Sequence, residues 1–291
     1  MFLKSYIPIF CFLNFIQFFF SAASDARVNP SPALNSNTGN LAAFSGGGYA
    51  STADISFTDS NPAGLAVLDR QYIFTSATTF HSQGFQLYEV GNFDSVNTDI
   101  AGALRLRQTN LSTGSIDRRL TLGLAYKLEW LGNFALGLSG DYSQIDVRQN
   151  WRGVGDNFNG RVGLFYGFKL LDIPVNFGVA GGGLFDKYVA KNLGIGLSTV
   201  GLRGFYIFNV DMLMNSLDGI NQLMSGVTIF AQQYLDIKAS YGYNLKNKKS
   251  FGAGGFFLKS EIIRMYYVLM RENSPDKYIK HSFGLDILIA L

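Results

Sequence analysis

From Gln71 onward one local pattern recurs: a bulky apolar residue at every second position, in segments of about ten residues separated by turn-forming residues. Leu120, Leu122, Leu124, Tyr126 and Leu128 alternate with Thr121, Gly123, Ala125 and Lys127. Phe134, Leu136 and Leu138 alternate with Ala135, Gly137, Ser139 and Asp141, and Phe283 to Leu291 repeats the pattern with one break at Leu288. A run from Val162 to Leu170 is broken only by Phe165. Period two is the signature of a strand with two different faces. The second face here is mostly Gly, Ala and Ser with occasional charges, whereas the solvated face of a soluble sandwich is broadly polar. Bulky residues facing lipid and small or polar ones facing a crowded lumen fit a transmembrane β-barrel.

Composition supports this. Hydrophobic residues make up 47% and charged residues 15% of 291 positions, with 33 Gly, 26 Phe and 15 Tyr. So few charges do not cover the surface of a water-soluble domain, for which roughly 25% is usual. Beyond the first 23 residues no apolar run reaches the roughly 20 residues of a spanning helix.

The N-terminus has Lys4, an apolar core from Tyr6 to Phe20, and small residues Ser21-Ala22-Ala23 before Ser24-Asp25, the pattern of a secretory signal cleaved after Ala23. Cys11 lies inside it, so the expected mature chain has no thiol, and disulfide, thiolate-metal and cysteine-nucleophile chemistry are excluded. Its removal takes Lys4, the one charge it carries, and lowers the formal charge from +3 to +2, too weak a balance for nucleic acid.

Residues 24–69 lack sustained alternation. Asn29-Pro30-Ser31-Pro32, Ser45-Gly46-Gly47-Gly48 and Asn61-Pro62-Ala63-Gly64 are chain-reversal chemistry, and the segment reads as a compact plug ahead of a barrel spanning 70–291. About fourteen strands are expected, near 70–80, 84–93, 99–109, 118–128, 133–147, 159–170, 173–185, 192–201, 203–211, 226–233, 235–245, 251–259, 261–271 and 279–291. The fold class is therefore all-β: an antiparallel, about 14-stranded outer-membrane barrel with a small N-terminal plug. Tight connections at Leu171-Asp172, Tyr234 and Ser260 alternate with longer ones at 110–117, 148–158, 212–225 and 272–278, as short periplasmic turns and long outer loops do.

The stretch Gly46-Gly47-Gly48-Tyr49-Ala50-Ser51-Thr52-Ala53-Asp54, followed by Asn61-Pro62-Ala63-Gly64-Leu65-Ala66, resembles the plug of the FadL-like outer-membrane transporters, a superfamily that includes fatty-acid and hydrocarbon transporters and PorV-like proteins. Ser60 stands where family members often have an aromatic residue, and this chain is shorter than typical fatty-acid transporters. The resemblance implies passive transport of small hydrophobic molecules such as long-chain fatty acids; alternatively, it implies a non-transporting PorV-like barrel that anchors or hands over secreted proteins. It also implies bilayer and lipopolysaccharide as surroundings, and no cofactor.

Candidate site residues fall in three groups. Asn61, Pro62, Ala63 and Gly64 form a turn in which Asn accepts backbone hydrogen bonds, Pro fixes φ and Gly permits φ > 0. Arg105, Arg107, Lys127, Asp141, Arg161, Lys169 and Lys238 occupy lumen positions, where they either line a passage for an anionic or amphiphilic solute or cross-pair to avoid buried unpaired charge. Met212, Leu213, Leu217, Ile220 and Met224 sit in an expected outer loop at helical spacing, suited to a lid for a greasy solute. Trp130, Trp151, Tyr142, Tyr206, Tyr266 and Tyr267 are expected at strand ends or on the lipid face. Enzyme signals are thin. With His81 and His281 the only histidines, no metal cluster is expected, and Gly181-Gly182-Gly183 lacks the Lys-Ser/Thr of a phosphate loop. The two histidines would come near each other only through barrel closure, each beside a serine, which is the minimum of a hydrolytic arrangement.

Overall fold

The computed structural model describes residues 48–50, 60–67, 71–80, 85–94, 100–110, 116–146, 157–185, 191–201, 204–216, 219–246, 248–260, 262–272 and 279–290. The expected signal segment, His81 and Trp151 lie outside them, as does most of the 24–69 segment.

Alternation produces strands throughout. They are β1 (Gln71–Phe80), β2 (Phe85–Asp94), β3 (Ile100–Asn110), β4 (Ile116–Leu128), β5 (Asn133–Asp146), β6 (Asn157–Leu170) and β7 (Ile173–Gly182). The second half comprises β8 (Asn192–Gly201), β9 (Tyr206–Asn215), β10 (Gly219–Gln232), β11 (Leu235–Asn244), β12 (Lys249–Lys259), β13 (Ile263–Glu272) and β14 (Ile279–Ala290). Each pairs antiparallel with its sequence neighbours, and β1 pairs with β14 from Tyr72 opposite Ala290 to Phe80 opposite Ser282, closing the barrel. Among the described residues no helix is long and apolar enough to cross a membrane; the chain crosses with strands.

Register converts alternation into two surfaces. Leu104, Leu106, Leu122, Leu124, Leu136 and Leu138 point outward and are exposed, a belt suited to lipid. Their neighbours Ala101, Arg105, Arg107, Ala125 and Asp141 are buried on the lumen side. Phe165, which breaks the period on β6, points inward and packs with Ala63 and Ala135. The connections at one rim are all short, of five residues or fewer, whereas those at the other run from three residues at 216–218 to ten at 147–156. One of the two-residue connections, Leu171-Asp172, holds both residues at positive φ (49° and 65°), the geometry of a type I′ hairpin turn.

The expected loop at 212–225 is not a loop. Strands β9 and β10 continue through it, leaving only 216–218 between them, and Met212, Leu213, Ile220 and Met224 are strand residues. The helical spacing arose because pairing slips by one residue between Ile220 and Gln222, which interrupts the period-two pattern. Leu217 lies outside the described residues. A second correction concerns Tyr266: it faces the lumen, paired with Gly284 and stacked on Phe257, whereas Tyr267 faces outward, its hydroxyl meeting His281 Nδ1 at 2.6 Å.

The outward belt makes a direct prediction. Leu122→Arg places a cation near the middle of a lipid-facing strand and is expected to lower folding stability in vesicles by about 2–4 kcal/mol. Reversible denaturant unfolding of the vesicle-embedded protein measures it; unchanged stability would mean that this face does not meet hydrocarbon.

Candidate functional site: the seat of the N-terminal segment

Of the residues before β1, 48–50 and 60–67 lie inside the barrel and dock on its wall. Pro62–Val67 form a 3-10 helix packed against β3, β4, β5 and β6. Proline supplies the fixed φ that opens such a turn, and Gly64 N–H donates to Asn61 C=O at 3.1 Å to close it. Asn61 is fully buried. Its Nδ2 donates to the carbonyls of Tyr49 (2.8 Å) and Leu164 (2.9 Å), while its Oδ1 accepts from Ala63 N–H at 3.1 Å. One side chain thus ties together the turn, the preceding segment and strand β6.

The wall is shaped to receive this turn. Gly137 and Gly163 face each other across β5 and β6, and a Cβ on Gly137 would overlap the Pro62-Ala63 peptide while one on Gly163 would overlap Asn61 Oδ1. Below the turn Leu65 packs with Phe93, Ala101 and Ala125.

A second anchorage holds Gly48, Tyr49 and Ala50 against β7, β8 and β9. Asp211, buried on β9, accepts from Gly48 N–H at 3.1 Å and Tyr49 N–H at 3.2 Å, with Asn209 Nδ2 at 3.5 Å. Ser198 Oγ donates to Ala50 C=O at 2.7 Å. The Tyr49 backbone lies on Gly178 and its ring on Gly194, where any Cβ would collide. Burial raises the pKa of the Tyr49 phenol, so the ring stays neutral. Asp211 and Ser198 stand out as site residues only once the register is known.

Above the helix, on the β3–β6 wall, charges are layered. Asp141 lies 3.8 Å from Arg161 and accepts from Thr121 Oγ1 at 2.6 Å. Asp117 lies 3.5 Å from Arg119, and Arg105 sits 5.3 Å from the Phe93 ring centre. Arg107 is buried in the same region. Lys127 is half-buried at the inner end of β4, Lys169 is exposed at the inner end of β6, and neither joins this layer. Lys238 is on the far wall, 4.2 Å from the Phe257 ring centre, beside the Lys259–Asp236 pair at 2.6 Å.

That far wall is apolar. Phe257, Tyr266, Val268 and Met270 form one buried cluster with Phe251 and Ala253, all at lumen positions of β12 and β13. Of the expected lid, Leu213 and Met224 occupy lumen-side register positions while Met212 and Ile220 lie on the outer face. Closure brings the outer end of β1 beside that of β14, but the His281 ring engages Tyr267 of β13. No group of three or more metal-ligating side chains occurs among the described residues.

No protein-family model and no curated protein matches this sequence. Among solved structures the chain is similar to the CymD monoaromatic hydrocarbon channel, with TM-score 0.58 and 10% identity over 84% of this chain and 95% of that one. It is also similar to a deltaS2 mutant of the TodX monoaromatic hydrocarbon channel, with TM-score 0.54 and 11% identity over 85% and 96% of the two chains. At these identities the likeness is one of fold. The chain has the fold of an outer-membrane β-barrel, and a closed barrel with an apolar exterior belongs in the bacterial outer membrane.

The anchorage at β7–β9 is testable. Gly178→Ala is expected to unseat residues 48–50, and Asp211→Ala to weaken the same anchorage by about 1.5–3 kcal/mol per lost charge-assisted hydrogen bond. Both variants should show faster hydrogen exchange at Tyr49 and more frequent current openings in planar bilayers; wild-type exchange in both would show that the anchorage does not hold the segment.

Proposed function

We propose that this protein is a plugged outer-membrane barrel that passes small hydrophobic molecules passively down their gradient. The observation that carries the reading is the apolar lumen wall of β12 and β13: a water-filled porin lumen is polar, whereas Phe251, Phe257, Tyr266, Val268 and Met270 offer a greasy surface inside the barrel. The docked segment is the plug, and its Asn61-Pro62-Ala63-Gly64 turn is the element resembling FadL-like transporters. The structural neighbours described as monoaromatic hydrocarbon channels support the same class of solute.

The finer reading is a solute with an apolar body and one anionic group, such as a long-chain fatty acid. The arginine-bearing wall at Arg105, Arg107, Arg119 and Arg161 supports the anionic end, and the opposite wall supports the chain. In this reading the plug rearranges by giving up its bonds to Asp211 and Ser198 while the turn at Asn61 acts as its hinge.

The test is uptake of a labelled long-chain fatty acid, and of toluene in parallel, into proteoliposomes. Wild-type protein is expected to exceed empty vesicles, and Asn61→Ala with Pro62→Ala is expected to change the rate. Val268→Asp, which puts a charge on the apolar wall, is expected to slow uptake about tenfold, the equivalent of about 1.4 kcal/mol. No uptake of either solute by a folded barrel would defeat the transport reading and favour a barrel that anchors or hands over secreted proteins.

A further inference from the structure

The rim that carries the short turns bears a series of large apolar side chains that the barrel leaves exposed. Five successive turns contribute one each: Trp130 between β4 and β5 (57% exposed), Leu171 between β6 and β7 (90%), Phe205 between β8 and β9 (48%), Tyr234 between β10 and β11 (61%) and Ile262 between β12 and β13 (57%). Turn residues at a water-facing rim are ordinarily Asn, Asp, Gly and Ser. At Leu171 the choice is unfavourable twice over. The residue sits at φ 49°, where Asn or Gly is the unstrained choice, and almost its whole side chain projects from the fold. Backbone strain at a side chain that touches little of its own protein directs attention to something outside it.

The occupant follows from continuity. Leu171 is flanked by Leu170 and Ile173, both exposed on the outward face, and Ile262 runs directly into outward Ile263, so the lipid-facing belt passes around the turns. Strand length places those turns at the membrane boundary. A ten-residue strand such as β7 or β13 rises about 33 Å, and a tilt of about 40° reduces this to about 25 Å, the height of the apolar band of such barrels. At the opposite ends exposed Arg118, Arg271, Lys246 and Lys248 stand beside exposed Phe185 and Leu245, whereas at the short-turn rim each of these five turns presents an apolar side chain.

We propose that this rim is a membrane-binding surface. Trp130, Leu171, Phe205, Tyr234 and Ile262 insert into the boundary between headgroups and acyl chains of the inner, phospholipid leaflet, so that the periplasmic opening lies at the lipid surface. The surface acts whatever solute the lumen carries.

The chain has two tryptophans, so Trp151→Phe leaves Trp130 as a single reporter. The protein is folded into phosphatidylcholine vesicles whose acyl chains are brominated either close to the headgroup or close to the terminal methyl, and native folding is confirmed by heat-modifiable gel mobility. Expected are blue-shifted Trp130 emission, stronger quenching by the shallow bromine than by the deep one, and protection from aqueous acrylamide. A second reporter, Trp130→Phe with Trp151→Phe and Leu171→Trp, is expected to behave alike. Red-shifted emission open to acrylamide and untouched by bromolipid, in either reporter, overturns the proposal and makes these turns a surface for a periplasmic protein. Uptake is measured separately, so that failure leaves the transport reading standing.

Discussion

In hydrocarbon an unpaired backbone N–H or C=O has no water to turn to, and every strand edge must therefore be paired. The contact between β1 and β14 satisfies that condition and governs the rest of the architecture. The fourteen described strands, joined in a ring, turn one face outward and the other to a lumen too wide for side chains alone to fill. Part of that space is taken by residues 48–50 and 60–67, tethered just ahead of β1. The small residues of the inner face answer the same condition: Gly137 and Gly163 take the Pro62 turn, and Gly178 and Gly194 take Tyr49, because a peptide approaching a sheet this closely leaves no volume for a Cβ.

Seating a peptide also means satisfying its polar groups, and the two anchorages solve this differently. Asn61 uses donor and acceptor together, so the turn brings its own partner and borrows only the Leu164 carbonyl from the wall. At β9 the wall supplies the partner: the buried Asp211 carboxylate is met by two backbone amides and an asparagine amide. A carboxylate satisfied by the docked segment is left short of partners when the segment leaves, so seat and segment depend on each other. Asp141, which leans on Arg161 and Thr121 of neighbouring strands, keeps its partners whether or not the segment is present.

This difference explains which parts were legible in the sequence. Leu120 to Leu128 and Phe134 to Leu138 state their two faces plainly, and Asn61-Pro62-Ala63-Gly64 announces a turn by residue type alone. Asp211 does not: one acidic residue among apolar neighbours resembles any other lumen charge until register places it beside Gly196 and under Gly48. At 212–224 the bulge opposite Leu213 shifted the apolar positions and produced a spurious helical spacing. On β13 the difficulty is of another kind. Ile263, Met265, Tyr267 and Leu269 face outward while Tyr266, Val268 and Met270 face inward, so both faces are apolar and no period exists to assign Tyr266 to either.

A strand greasy on both faces is wasteful for a water-filled pore and natural for one that carries apolar solutes. Register places β12 and β13 half-way around the ring from β5 and β6, so the apolar wall confronts the wall where the helix docks and the arginines gather. The interior thereby sets a polar wall, whose side chains are committed to the docked segment and to one another, against an apolar patch on β12 and β13 that is flanked on β11 by Asp236 and Lys238. Lys238 marks the boundary. Its ammonium lies over the Phe257 ring beside the Lys259–Asp236 pair, so the periplasmic end of the apolar wall passes into charge before it reaches the rim. In the transport reading proposed above, a solute moving along that wall would exchange one apolar surface for another until that point. The largest change in its surroundings would therefore fall at the periplasmic mouth rather than beside the helix.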